Sequence, residues 1–315
     1  MVTERLRQLA SRLSSGFDAY EAGEGPLPGF TPARRASLVR QLVDSSRVNM
    51  YVEHLCTVTL SRGAADPSDS YWFNPLKAAI IRHREGEDDE AFWMIFLLTH
   101  FGKHRRAGWR YVREVYGALG SGEPWSWKRV TGDVGEFRDW LDVHQAQLSD
   151  PSLPYGFGNH RKYESLAGWT DAGTGSVVAS YVTWVGGEPP QHHIRFDEAL
   201  TAAGNDPEAA FGILYRSMAA VHRFGRLARF DYLSMIGRVG LADIHPGKAY
   251  LQGSTGPLKG AQLLFQPAGE PKLMAATLED KAAALRSHLG VTFDVLEDAL
   301  CNWQKSPAEF RRFRG

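Results

Sequence analysis

The apolar run from Phe92 to Leu98 constrains the fold more than any other stretch of the chain. An acidic run, Glu87–Glu90, comes just before it, and negative charge suits the N-terminus of a helix. A helix that is apolar on all sides has to be buried, so other elements must surround it. The chain has 315 residues, of which 43% are hydrophobic, and this is enough for such a core. We therefore expect a buried helix at the centre of a globular protein.

Helical spacing dominates the remaining sequence, and patterns typical of strands are sparse. Thr31 and Pro32 form a typical helix start, with the hydroxyl as cap and proline in the first turn. The segment 207–241 indicates two helices hinged near Phe224 and Gly225. The segment 173–187 contains many β-branched residues and fits either a helix or a strand. The overall prediction is a mostly α fold.

Three short basic segments lie beside glycines at helix junctions. The chain as a whole carries 36 basic and 36 acidic residues, which excludes a globally basic nucleic-acid binder but not a local basic face. Several separate phosphate contacts can hold double-stranded DNA without a basic isoelectric point. The candidate DNA-binding residues are Lys103, His104, Arg105 and Arg106 in the first basic segment; Asn159, His160, Arg161 and Lys162 in the second; and Gly225, Arg226 and Arg229 in the third.

Each basic segment also has an ordinary interpretation. The first segment alone would normally be a solvated helix face. The third has the general look of a helix–hairpin–helix turn, with Phe224, Gly225, Arg226 and Ala228 in suitable places. The earlier glycine of that motif is absent, so a plain helix bend fits equally well.

Three carboxylates are candidates for catalysis: Asp231, Asp243 and Glu297. A carboxylate in such a place could stabilise an oxocarbenium-like sugar or activate a water molecule. The alternative for each is a structural ion pair with a neighbouring arginine.

The sequence predicts no metal and no cofactor. His100 and His104 have the spacing of metal ligands, but no third ligand lies nearby. Phosphate-loop, dinucleotide-binding, serine-hydrolase and zinc-protease motifs are absent. Cys56 and Cys301 are far apart, which fits a reducing compartment. The N-terminal stretch lacks an apolar signal core, and no run of about 18 apolar residues exists, so we expect a cytoplasmic protein without a membrane partner.

Four blocks in the order FWMIFLLTHFGKHRRAGWR, FGNHRKYES, FGRLARFDYL and VLEDALCNWQKSP resemble the α-glutamyl/putrescinyl thymine pyrophosphorylase family, most closely its third clade. The resemblance extends from Arg34 to Pro307. It implies an architecture shared with helix–hairpin–helix DNA glycosylases, in which two helical lobes surround a cleft. We accordingly expect an N-terminal extension over residues 1–30 and a glycosylase-like domain over 31–315. The lobes would be 31–150 and 151–315, and whether they share terminal helices stays open.

The resemblance implies two chemistries on DNA. First-described members are implicated in phage DNA hypermodification, where glutamate or putrescine displaces a diphosphate from the 5-hydroxymethyl group of a thymine-like base. Other relatives are linked to excision of hypermodified bases as a defence against phage. An acidic pair typical of the family is replaced here by Asn302 and Gln304, beside Cys301 and Lys305. Because that pair could handle the amine, we place excision by a glycosylase slightly ahead of group transfer.

The expected partner in either case is double-stranded DNA carrying modified bases, with no obligate protein partner. Both chemistries require a base turned out of the helix. Lys248 and Lys305 are further candidates for DNA contacts. A non-catalytic DNA-binding module and a fortuitous likeness of an ordinary helical protein are the remaining alternatives.

Overall fold

A computed structural model describes residues 2–312, and within this range it contains fourteen α-helices, four short 3-10 helices and no strand. The predicted mostly α class is therefore confirmed, whereas the helix–hairpin–helix architecture stays a prediction. No helix in the described range has the length and apolar character needed to cross a membrane. The α-helices are α1 (Val2–Gly23), α2 (Pro32–Thr57), α3 (Pro75–Arg84), α4 (Asp88–Phe101), α5 (Arg110–Tyr116), α6 (Trp127–Gly132), α7 (Val134–Leu148), α8 (Thr174–Val185), α9 (His192–Ala202), α10 (Pro207–Ser217), α11 (Arg226–Val239), α12 (Gly256–Phe265), α13 (Ala275–Leu289) and α14 (Phe293–Trp303).

The chain forms two compact units, and the first combines both ends of the sequence. Within the described range it contains residues 2–52 together with residues 246–312. Its core includes Leu13 and Phe17 of α1, which are fully buried among side chains of α12, α13 and α14. Helix α12 lies very close to α14, because Gly260 faces the carbonyl of Leu300 where no Cβ would fit. Residues of the predicted N-terminal extension thus belong to the core of this unit.

The second unit extends from Glu53 to His245 and is built around α4. Every side chain from Phe92 to Leu97 is at most 2% exposed, and α4 packs against α3 and α11. The expected central helix is confirmed, and it begins at Asp88 as the acidic run predicted. The predicted lobes, 31–150 and 151–315, stay a prediction; residue 150 lies inside this second unit.

The ambiguous segment 173–187 contains a helix, α8, and not a strand. Its apolar face is fully buried, and the hydroxyl of Tyr181 lies 2.8 Å from Nε2 of His192 and 2.7 Å from the hydroxyl of Tyr232. The other ring nitrogen of His192 is 2.6 Å from the Asp89 carboxylate. These buried polar groups therefore satisfy one another and tie α8 to α4, α9 and α11.

The predicted hinge near Phe224 is a connection and not a sharp bend. Helix α10 ends at Ser217, and α11 begins at Arg226 after Gly225. The intervening residues, 218–225, include one 3-10 turn and place Arg223 in the left-handed region with φ of 59°. This connection and the N-terminus of α11 form one side of the candidate site.

Candidate functional site

The first basic segment is a closed turn that follows α4. Gly102 and Gly108 bracket it, with φ of 64° and 61°, values that favour glycine. The backbone N–H of His104 donates to the carbonyl of Gly108 at 3.0 Å, and the Gly108 N–H donates back at 2.9 Å. Nδ1 of His104 also accepts from the N–H of Ala107 at 3.0 Å. The turn is thereby fixed, and its exposed cations are Lys103, Arg105 and Arg106.

The second basic segment packs directly on the first. The N–H of Gly158 donates to the carbonyl of Phe101 at 2.7 Å. A Cβ added at Gly158 would come within 2.9 Å of the Gly102 backbone, and one added at Gly102 within 3.2 Å of Gly158. The two backbones lie this close because neither residue carries a side chain. The two glycines therefore allow contact between segments that are distant along the chain.

Arg161 joins all three basic segments from the inside. Its side chain is buried; Nε donates to the carbonyl of His100 at 3.0 Å, and a terminal nitrogen donates to the carbonyl of Arg223 at 3.1 Å. Burial lowers the pKa of the guanidinium, while the negative charges of Glu164 and Asp231 oppose that shift. The residue remains a cation, and its Nε and Nη1 groups donate to protein carbonyls. Among the predicted DNA-binding residues, Arg161 thus lies beneath the surface and positions the others.

Glu164 is the buried anion beside Arg161 and Arg223. Its side chain is 8% exposed and lies 3.1 Å from Nε of Arg223 and 3.8 Å from the guanidinium of Arg161. Arg223 also donates to the carbonyl of Tyr163 at 3.2 Å. These contacts hold Arg223 in a backbone conformation that non-glycine residues rarely adopt. The geometry of the connection before α11 is therefore set by one carboxylate.

His100 is fully buried beside Arg161 and is neutral. The hydroxyl of Thr174 donates its single hydrogen to the carbonyl of Ser165 at 2.7 Å, so Nε2 of His100, 2.9 Å away, must donate to that oxygen. Nδ1 is left to accept from Arg161 at 3.3 Å. Burial, with the charges of Arg161 and Arg223, holds the pKa of His100 well below its usual value. Since both ring nitrogens are occupied, His100 serves packing and is not available as a metal ligand alongside His104.

A serine–histidine pair lies at the edge of the cluster, where α8 begins. Oγ of Ser176 is 2.8 Å from Nδ1 of His222, and the backbone N–H of His222 donates to Oγ of Ser180 at 2.9 Å. Ser176 is buried and His222 is exposed. An exposed imidazole whose orientation is fixed by its other nitrogen can act as a general acid or base. Sequence reasoning did not select this pair, because no spacing pattern connects residues that are 46 positions apart.

The three candidate carboxylates occupy different places. Asp231 is exposed on α11, and its charge acts on Arg161. Asp243 is exposed in the turn that follows α11. Glu297 is 4% exposed in α14, which belongs to the first unit. Of these three candidates, Asp231 is the one whose charge acts on Arg161.

The remaining predicted cations are distributed over both units. Arg229 donates to the carbonyl of Tyr215 at 3.1 Å, which ties α11 to α10. Lys248 and Lys305 are exposed in the first unit, and Nζ of Lys305 donates to Oδ1 of Asn302 at 2.8 Å. Exposed members of the second and third segments are Asn159, His160, Lys162 and Gly225, and Arg226 is half-buried.

Comparison with known proteins gives one family. The family described as alpha-glutamyl/putrescinyl thymine pyrophosphorylase clade 3 matches residues 33–315, which is most of the chain. No curated protein matches the sequence. No solved structure matches it either.

Proposed function

The chain belongs to the α-glutamyl/putrescinyl thymine pyrophosphorylase family, and we propose that it is a transferase that modifies pyrimidine bases in DNA. The substrate would be a pyrimidine whose 5-hydroxymethyl group carries a diphosphate, and an amine or amino acid would replace that diphosphate. The observation that carries this proposal is the convergence of the three basic segments on Arg161, which donates to carbonyls of His100 and Arg223. Cations drawn from three segments suit a substrate with a phosphate backbone and a diphosphate leaving group.

The reaction needs both charge stabilisation and a base. The amine nitrogen attacks the exocyclic carbon, so a C–N bond forms while the C–O bond breaks. Diphosphate leaves with the electron pair of that bond, and the nitrogen then loses one proton. In this proposal the exposed cations Lys103 and Lys162 stabilise the departing diphosphate. This proton transfer requires the tautomer in which Nδ1–H of His222 donates to Oγ of Ser176, 2.8 Å away, so that the Nε2 lone pair can accept the proton.

Direct detection of the product tests the proposal. The protein is incubated with DNA that contains 5-hydroxymethyluracil diphosphate and with glutamate or putrescine, and the nucleosides are analysed by mass spectrometry. We expect a nucleoside with the amine attached and one equivalent of free diphosphate. His222→Gln should lower the rate of transfer because the proposed proton acceptor is lost, whereas the exposed Arg216→Gln should behave like the native protein. If the DNA is recovered without an attached amine for every amine tested, transfer is refuted.

Excision of the modified base is the second candidate, and the exposed Asp231 favours it. A carboxylate beside a cationic cluster could stabilise an oxocarbenium-like deoxyribose while the glycosidic bond breaks. Asn302 and Gln304, which stand in place of the acidic pair expected from the family resemblance, also favour excision, because that pair could handle the amine. The same incubation distinguishes the two reactions, because excision yields free base and abasic sites. Asp231→Asn should then abolish that product. Absence of both products would leave a DNA-binding module.

A further inference from the structure

Two cavities of about 340 and 390 Å³ lie beside α5 in the second unit. They share Arg110, Arg113 and Glu114 in their linings. In the first cavity, Phe73 and Trp109 provide aromatic surface next to these charges. Neither cavity is lined by Arg161 or His222, although Arg106 of the first basic segment lines the first cavity, so this cavity requires its own explanation.

The charges of the first cavity are unbalanced. Oε1 of Glu114 accepts from Nε of Arg110 at 2.8 Å and from Arg113 at 3.0 Å, so one carboxylate oxygen serves two cations. Arg106 adds a third cation to the lining, and its exposed side chain forms no hydrogen bond or ion pair with the part of the chain that is described. Three cations therefore face one anion, and an excess of positive charge lines the space.

Only one of the two carboxylate oxygens of Glu114 takes part in these ion pairs. Oε2 is buried and has no hydrogen-bond partner among residues 2–312. Arg110, which is 10% exposed, also donates to the carbonyl of Pro154 at 3.1 Å. The guanidiniums of Arg110 and Arg113 are thus fixed in place before any ligand arrives. Fixed guanidiniums lose little freedom when they bind phosphate oxygens.

We propose that this first cavity binds a nucleotide, with its base against Trp109 and its phosphates on Arg106 and Arg113. Its volume lies at the lower end of the roughly 300–1,000 Å³ typical of small-molecule sites, which suits a single nucleotide. Trp109 is half-exposed and offers a surface on which a base can stack. Binding of a free nucleotide here does not depend on the function proposed above. That the nucleotide is one turned out of DNA rests on that function, and it would be a nucleotide other than the one that reacts beside His222.

Calorimetric titration of the full chain with thymidine 5′-diphosphate tests the site. Thymidine and inorganic pyrophosphate are titrated separately, and we expect each to bind at least about tenfold more weakly than the complete nucleotide. Arg106→Gln should weaken the nucleotide by about tenfold, because one charge-assisted contact is lost. The fold should survive, since the Arg106 side chain forms no hydrogen bond or ion pair within residues 2–312. Trp109→Leu should weaken thymidine and the nucleotide alike, and Arg216→Gln should change neither.

A competition experiment distinguishes the two sources of nucleotide. A short duplex with one unpaired thymine is added to the complex with thymidine 5′-diphosphate. Displacement by this duplex, but not by a fully paired one, supports a nucleotide turned out of DNA. If the duplex with the unpaired thymine does not displace thymidine 5′-diphosphate, binding of a nucleotide turned out of DNA is refuted, and the cavity is a site for free nucleotides.

The proposal as a whole is overturned if thymidine 5′-diphosphate does not bind, or if Arg106→Gln and Trp109→Leu bind it with native affinity. These titrations involve no turnover. A negative transfer assay together with positive binding would therefore refute the proposed reaction and leave the nucleotide site intact.

Discussion

Replacement of Arg161 by methionine removes the group that joins the three basic segments. Methionine keeps most of the length of the side chain but none of its donors. The carbonyls of His100 and Arg223 each lose a hydrogen bond, of 3.0 and 3.1 Å. Glu164, only 8% exposed, loses one of its two cations. The perturbation is therefore electrostatic and polar, with little change in packed volume.

The size of the effect follows from these lost contacts. A hydrogen bond that involves a charged group contributes about 1.5–3 kcal/mol, and a broken buried ion pair typically costs about 3–5 kcal/mol. The ion pair with Glu164 is long, at 3.8 Å, and burial lowers the pKa of Arg161 because it disfavours the charged form. The cost of burying this charge therefore offsets part of the stabilisation by the ion pair. We expect the free energy of unfolding to fall by about 3–5 kcal/mol.

Urea denaturation followed by circular dichroism measures this loss. Arg223→Met is the matched comparison, because that side chain is 38% exposed and pairs with the same carboxylate. A partly exposed pair should cost only about 1 kcal/mol or less. Adding Glu164→Gln to Arg161→Met should recover part of the loss, because the anion left behind is removed. A loss below about 1 kcal/mol for Arg161→Met would refute the role assigned to this residue.

Three further predictions follow. Gly158→Ala should lower stability by about 1–3 kcal/mol in thermal melts, since its Cβ would meet backbone at 2.9 Å, whereas Gly225→Ala, with open space around it, should cost less. The pKa of His100 is lowered in the folded state, so the unfolded state takes up the proton first. Stability should therefore fall as pH drops below about 6.5, by up to about 1.4 kcal/mol per unit, and His100→Gln should reduce that slope in urea titrations. Lys103→Gln and Arg105→Gln should each reduce the salt dependence of DNA binding by about 0.9 in the log–log slope, measured by fluorescence anisotropy; an unchanged slope would remove the first basic segment from the interface.

Features that depend on neighbouring residues could be predicted from the sequence. The start of α2 at Pro32, with a hydroxyl of Thr31 accepting from the N–H of Arg34 at 3.3 Å, follows from local capping chemistry. The buried character of α4 follows from its composition. Segment 173–187 could not be assigned, because β-branched residues fit a helix and a strand alike until the surrounding helices bury them.

The site itself depended on contacts that no local pattern contains. Arg161 and His100 are 61 positions apart, and Arg161 and Arg223 are 62 apart. Sequence reasoning identified the three basic segments but treated all their cations alike. The fold buries Arg161 and leaves Lys103 and Lys162 exposed.

By itself, the sequence determined the helical class, the central buried helix and the glycine-bracketed basic turns, because capping, periodicity and turn preferences act over a few residues. Only the tertiary structure decided which of those turns meet, which cation is buried and which histidine, His222, is fixed at the surface. The physical reason is that such contacts arise from packing between distant segments. The touching backbones of Gly102 and Gly158 are the clearest instance, since the close approach between them is visible only once the two segments are packed together.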